Sequence, residues 1–385
     1  MTEESRIAAL SLLALLIVCG MVITVAKAQS GAAPASAATG MKTAEQQFKN
    51  IQVLKGMPAD QLAPSMQFVN ASLGVQCDFC HVPNAMDKDD KKPKKIARQM
   101  MEMMFAINKD NFNGSRMVTC YSCHRGAIRP VGTPIIDEAK MTGGAMSMPM
   151  PKQPEGEPAQ PSGPAAEELI EKYVKALGGA KAIDAVTSRV ATGTIDFGGV
   201  SYPIDVYSKD PDMRASFVHM PDGDNITSFN GQEGWLGAPH RPTRDMHGSD
   251  IDGASIDADL HFATHLKAMF RQVETEGTEK VGDHDAYSVV GKREGKPPLR
   301  LYFDEQSGLL LRLVRYGETP LGLLPTQVDY ADYRDLNGVK VPFRWTLARP
   351  SGQFTIQAKD MKENVAVDVA KFAKPAGAPE GPGKR

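Results

Sequence analysis

Cysteine, aromatic side chains and net charge are all scarce in this chain. Of 385 residues only 5 are Cys and 2 are Trp, aromatics make up 6%, and the formal net charge is −2. A nearly neutral chain has no global field to draw it to nucleic acid or to an acidic membrane surface, so no nucleic-acid partner is expected. Five cysteines are too few for a disulfide-stapled scaffold of this length. What remains is ordinary for globular protein, with 42% apolar and 23% charged residues. No nucleophile stands beside a base and no glycine-rich phosphate loop occurs, which argues against an enzyme.

The only long apolar run lies at the N-terminus, over residues 7–25. It follows Arg6 and precedes Ala26-Lys27-Ala28, a small-x-small pattern. This predicts a secretory signal over residues 1–28, cleaved before Gln29. An uncleaved membrane anchor is the alternative, because the run is close to the ~20 residues needed to span a bilayer. Cys19 falls inside the run and reads as one more apolar leader residue. Either form places the rest of the chain outside the cytoplasm, in the periplasm.

At 385 residues the chain exceeds one compact domain. The pattern predicts a tether at 29–40, a mainly helical domain at 41–137, a Pro/Gly/Met-rich linker at 138–164, an antiparallel β-rich domain at 165–376 and a disordered tail at 377–385. The linker methionines Met141, Met146, Met148 and Met150 read as filler rather than copper ligands. Beyond the linker, an amphipathic helix carries Leu169, Ile170, Tyr173, Val174 and Leu177 and stops at Gly178-Gly179. Alternating segments follow at 188–197, 202–208, 226–229, 286–290, 299–303, 309–316, 326–333 and 354–358, with turn signals such as Asn230-Gly231 and Asn337-Gly338. Residues 256–273 look helical. The expected fold is multidomain: a mainly α domain, then a curved antiparallel sheet of half-barrel type with helices packed on it.

The four remaining cysteines sit in two pentapeptides, Cys77-Asp78-Phe79-Cys80-His81 and Cys120-Tyr121-Ser122-Cys123-His124. Two thiols one helical turn apart can each form a thioether with a porphyrin vinyl group, and the adjacent His then supplies the proximal nitrogen to iron. Two such motifs, using every cysteine outside the leader, predict two covalently bound haem c groups. A four-thiolate zinc ribbon leaves His81 and His124 unexplained, two tight Cys-x-x-Cys disulfide loops would be poor staples, and a thioredoxin-like pair lacks its βαβ context.

Distal ligands should come from the preceding helices. Met66, Val69, Asn70 and Leu73 share one helical face, and Gly74 suits the cap ending that helix, so Met66 can reach the first iron. A second helix over residues 96–108 carries Met100, Met101, Met103 and Met104, of which Met100 or Met103 is the expected ligand. Iron with both axial positions filled by His and Met carries electrons rather than binding oxygen.

Residues 53–58 through Met66, Cys77 to His81, Ala97-Arg98-Gln99-Met100 and Cys120 to Gly126 together resemble the cytochrome c subunit of photosynthetic reaction centres. That resemblance covers about a quarter of the chain and implies Met66 as sixth ligand opposite His81. It also implies redox partner proteins, whether a membrane reaction centre or a respiratory complex, although four-haem members have four motifs and this chain has two. The C-terminal half, with Leu301-Tyr302-Phe303-Asp304, Gly308 to Arg312, Asp332-Tyr333-Arg334 and Val341-Pro342-Phe343, resembles the half-barrel of lipoprotein carriers more loosely. This leaves a second class of function, an envelope protein that cradles a lipid or apolar ligand and uses its haems as a redox sensor. A lysine cluster, Lys91, Lys92, Lys94 and Lys95, suggests a docking patch for an acidic partner. His261 and His265 are spaced i, i+4 with no third ligand in view, and read as helix-face residues.

Overall fold

The computed structural model describes residues 42–130, 163–350 and 352–376. The expected leader, tether and tail lie outside the described residues, as does the linker up to residue 162.

The first part is helical. A short helix α1 (Ala44–Gln47) leads to α2 (Leu62–Leu73), the one-turn helix α3 (Cys77–Cys80), the long α4 (Lys92–Asn111) and α5 (Cys120–His124). Gly74 ends α2 at φ 66°, a left-handed conformation that glycine adopts without steric cost. Pro93 opens α4, where its missing N–H is not needed. Along α4 the buried positions Met101, Met104 and Asn108 recur at helical spacing. Met101 and Met104 pack with Phe68 and Val69 of α2, Leu54 and Met57 into a small core of their own.

The second part is one antiparallel sheet of thirteen strands in the order β6-β5-β4-β3-β2-β1-β13-β12-β11-β10-β9-β8-β7. Its strands are β1 (Ser188–Phe197), β2 (Val200–Lys209), β3 (Met213–Met220), β4 (Gly223–Asn230), β5 (Gly234–Gly237), β6 (Arg244–Asp245), β7 (Gln272–Val281), β8 (His284–Arg293), β9 (Lys296–Asp304), β10 (Leu310–Thr319), β11 (Gly322–Leu336), β12 (Val339–Arg349) and β13 (Gly352–Glu363). Two meanders meet where β1 pairs with β13, and the edges β6 and β7 stay apart, so the sheet is open. The period-2 rule is visible in β9: Leu299, Leu301 and Phe303 are fully buried on one face, while Tyr302 joins a separate cluster on the other.

Helices α6 (Ala166–Leu177), α7 (Ala180–Asp184), α8 (Ser249–Ala258) and α9 (Phe262–Met269) cover the first of those faces. Leu169, Ile170, Tyr173 and Leu177 of α6 are buried there, on the stripe that the sequence marks. The helix expected over 256–273 is instead two helices and the start of β7. The break falls at Asp259, the extended residue that ends α8, whose carboxylate accepts the backbone N–H of His261 at 2.8 Å just ahead of α9. Strands β3, β5, β6, β7 and β12 go beyond the segments expected.

The two parts are joined by more than the chain. The β10–β11 hairpin inserts Leu321 of its turn, fully buried, and Leu324 of β11 into the helical core. Phe68 of α2 lies over Gly322, where a Cβ would come within 2.4 Å of the ring. Arg116, just ahead of α5, donates to the Thr319 carbonyl of the same turn.

Candidate haem sites

Each Cys-x-x-Cys-His motif is a single helical turn. In the first, the His81 N–H closes the turn on the Cys77 carbonyl at 2.9 Å. In the second, Thr119 and Ser122 form a capping box, the Thr119 N–H donating to Ser122 Oγ at 3.0 Å. Arg125 and Gly126 then turn the chain through left-handed conformations, φ 47° and 84°. Asn108 holds the approach to this motif: its amide donates to the Val118 carbonyl at 2.7 Å and its oxygen accepts the N–H groups of Met117 and Val118.

The two histidines are held alike. His81 Nδ1 lies 2.8 Å from the Met86 carbonyl, and His124 Nδ1 lies 3.0 Å from the Ala127 carbonyl. A carbonyl can only accept, so each Nδ1 carries the proton and each Nε2 keeps a free lone pair. That is how a protein fixes an imidazole that binds iron or another metal. The four cysteines are free thiols. Burial pushes the Cys80 and Cys120 thiols up. Among the described residues the four cysteines do not gather into a metal-sized cluster, which removes the zinc-ribbon reading. The residues fit covalent haem: paired thiols one turn apart, a histidine with Nε2 free, and exposed Met86, Ile96, Met100, Met103, Met117, Tyr121 and Ile128 offering an apolar surface to a porphyrin.

Helix α2 touches both motifs. Asn70 donates to Cys77 Sγ at 3.4 Å, and α2 packs against α5, the Gly126 N–H donating to the Ser72 carbonyl at 2.9 Å. Met66 is half-buried and packs, with Cys120, against the helical core. On α4 the four methionines divide. Met101 and Met104 are committed to the core, while Met100 and Met103 are exposed on the remaining face and free to serve as ligands.

The lysine cluster is not a uniform patch. Lys94 is buried, and its Nζ donates to the Met86 and Lys88 carbonyls and pairs with Asp89 at 3.1 Å. Lys91 donates to the Asp78 carbonyl beside the first motif. Only Lys92 and Lys95 stand fully exposed. Asp89 is the pivot, accepting from Arg98 at 2.8 Å and Asn50 at 3.0 Å. The Arg98 guanidinium holds the Asp89 carboxyl far below the usual range, with Lys94 and Asn50 adding to it. A depressed folded-state pKa gives stability that is present above the unfolded value of about 4 and is lost as pH falls below it. Asp89→Asn should therefore lower the melting temperature at pH 7. The gap to wild type should shrink as the pH is taken from about 5 towards 2 in thermal melts. A gap that stays constant across that range would remove Asp89's charge from the account.

A cavity of about 980 Å³ opens between the covered sheet face and α8, with Ala63, Pro64 and Gln67 of α2 at its rim. Its lining mixes apolar Ile204 and Trp345 with Tyr330, Arg214 and the ion pair of Arg315 and Asp257. Arg214 donates to Ser208 Oγ at 3.2 Å and has no carboxylate within ion-pair distance among the described residues.

Residues 20–177 match the model of the family described as "Photosynthetic reaction centre cytochrome C subunit". The helical part is thus similar in sequence to a family of cytochromes c, which implies covalently bound haem c. Among curated relatives, the "Photosynthetic reaction center cytochrome c subunit" of Thermochromatium tepidum is 36% identical over 97 residues, 24% of each chain. "Cytochrome c-554" of Chloroflexus aurantiacus is 36% identical over 85 residues, 20% of each. The match spans about a quarter of the length of these relatives. Solved structures similar to about half of this chain include a DUF1329 family protein from Desulfovibrio piger (16% identity, TM-score 0.38, 54% of this chain and 96% of that one) and a LolA superfamily protein from Nitrosomonas europaea (15%, 0.38, 55% and 99%).

Proposed function

We propose that this protein is a periplasmic c-type cytochrome that holds two haem c groups and carries electrons between partner proteins. The observation that carries the reading is the repeated site: two Cys-x-x-Cys-His turns, each with its His Nδ1 engaged by a backbone carbonyl. Cys77, Cys80 and His81 would hold one group with Met66 as distal ligand. Cys120, Cys123 and His124 would hold the other, with Met100 or Met103. Haem c, when bound, supplies a one-electron couple.

The chain's own residues make that couple a carrier. Carbonyls fix both imidazoles in tautomer and orientation, and Met66 with Met100 or Met103 would complete the iron's ligand set against outside ligands. The module's position against the sheet is set by Leu321 and Phe68. The leader at residues 7–25 supports export and, if retained, membrane tethering. Donor and acceptor are redox proteins such as a reaction centre or a respiratory complex.

An anaerobic redox titration with carbon monoxide as a probe tests this. Wild type should take up two electrons per chain and bind no carbon monoxide when reduced. Met66→Ala should bind it at one haem, and the same assay on Met100→Ala and Met103→Ala assigns the second ligand. Avid binding by wild type would sink the carrier reading. The cavity favours a second reading, in which the β-rich part binds an apolar ligand with a polar group that Arg214 faces, and the haems report on its occupancy.

A further inference from the structure

Residues from the α8–α9 junction and the β2–β3 turn converge beside the covered sheet face. Asp259 closes α8, His261 and His265 belong to the start and first turn of α9, and Asp210 and Asp212 come from the β2–β3 turn. Asp259, His261 and His265 each offer a ligand atom, all within 4.8 Å of one another. His265 Nδ1 lies 2.9 and 3.1 Å from the two Asp259 carboxylate oxygens. The two imidazole rings meet edge to face at 5.7 Å between centroids.

Two details separate this arrangement from an ordinary cap. The first is His261, whose Nε2 is 2.9 Å from the Val186 carbonyl. A carbonyl can only accept, so that nitrogen donates, and Nδ1 is the atom turned to the cluster, 3.7 Å from Asp210 Oδ1. It is the same device that prepares His81 and His124, with the ring reversed. The second is the β2–β3 turn, which brings the Asp210 carboxylate to His261 and carries Asp212 two residues further on. The bond from the His261 N–H to Asp259 needs neither ring nor the two further carboxylates.

We propose that Asp259, His261 and His265 form a binding site for a divalent transition-metal cation of the zinc type. Two imidazoles and a carboxylate suit such an ion, whereas calcium and magnesium demand oxygen ligands. Tetrahedral bonds of about 2.0–2.1 Å place neighbouring ligand atoms about 3.3 Å apart, so the present spacing closes on the ion with small side-chain movements. Asp210, 3.7 Å from His261, stands within reach as a fourth ligand or as an acceptor for a bound water. The ion would tie the α8–α9 junction to the β2–β3 turn at the edge of the cavity, which Asp259 also lines.

The test uses the full-length holoprotein after chelator treatment. Zn²⁺ is titrated calorimetrically, and the zinc-to-iron ratio is measured after dialysis. Wild type should retain one zinc per chain in addition to its iron, and its melting temperature should rise with added zinc. His265→Ala, at a half-exposed position, and His261→Ala should each weaken binding at least tenfold and abolish the thermal shift. His284→Ala, which removes a histidine paired with Asp304 elsewhere on the sheet, should change neither. Calcium at the same concentration should give no shift. Failure of wild type to retain zinc, or equal retention by His265→Ala, His261→Ala and His284→Ala, overturns the proposal.

Discussion

Replacing Cys120 and Cys123 together by alanine should leave a folded protein with one haem per chain where wild type has two. Intact mass and the haem absorbance per chain should both report this halving. The reasoning is local. Each motif is its own helical turn with its own histidine, and each histidine has its own carbonyl partner. Nothing in the first motif depends on a thiol of the second, and among the described residues the four sulfurs do not converge. The complementary pair Cys77→Ala/Cys80→Ala should give the same count at the other site. If either double variant instead loses all of its iron, the two motifs are one cooperative site and the independent-haem account fails. Loss of zinc rather than iron would restore the ribbon.

Gly74→Ala should be among the most damaging small substitutions in the helical part. The residue sits at φ 66°, where a side chain costs roughly 1–2 kcal/mol. Its added Cβ would also lie 2.2 Å from the Gly126 carbonyl oxygen, a backbone atom that cannot step aside alone. Gly126 lies two residues beyond His124 and donates to the Ser72 carbonyl, so the clash would part α2 from the loop holding His124. A loss of about 3 kcal/mol is expected when the strain and the displaced contact combine. Gly114 is the control: it has φ 77° but nothing within 4 Å of an added methyl, so Gly114→Ala should show the conformational cost of roughly 1–2 kcal/mol only. Chemical denaturation followed at the haem band compares the two. Equal losses would mean that the Gly74–Gly126 contact contributes nothing.

The parts of this molecule that are legible in the sequence are those whose chemistry is local. Thioether attachment needs its two cysteines and histidine at one spacing, so both haem motifs stand out without any knowledge of the fold. The stripe on α6 and its stop at Gly178, the cap at Gly74 and the Asn337-Gly338 hairpin are equally local, and each appears where the pattern puts it. Strand β7 is the opposite case. Its sequence Gln272–Val281 is charged, because it is an edge strand and buries little beyond Thr275 and Val281. Strand β12 contains Pro342, which argues against a strand on local grounds but is accommodated within this sheet. Among the four methionines of α4, spacing leaves Met100 and Met103 open, and only the packing of Phe68 and Val69 against Met101 and Met104 separates core from outer face. The His261–His265 pair shows no third ligand in sequence because residues 256–273 read as one helix, and only the break after α8 brings the Asp259 carboxylate to His265. Lys94 looks like surface and is buried, since its amine finds two carbonyls and a carboxylate in a loop whose shape sequence alone does not reveal.

The Leu321 turn also sets an order of events during synthesis. Arg116 and Thr319 are 203 positions apart, and Leu321 and Phe68 are further still. The helical module therefore emerges from the ribosome long before the segment that completes its interior. Throughout that interval its small core lacks Leu321 and Leu324, and the Thr319 carbonyl that Arg116 meets has not yet been made.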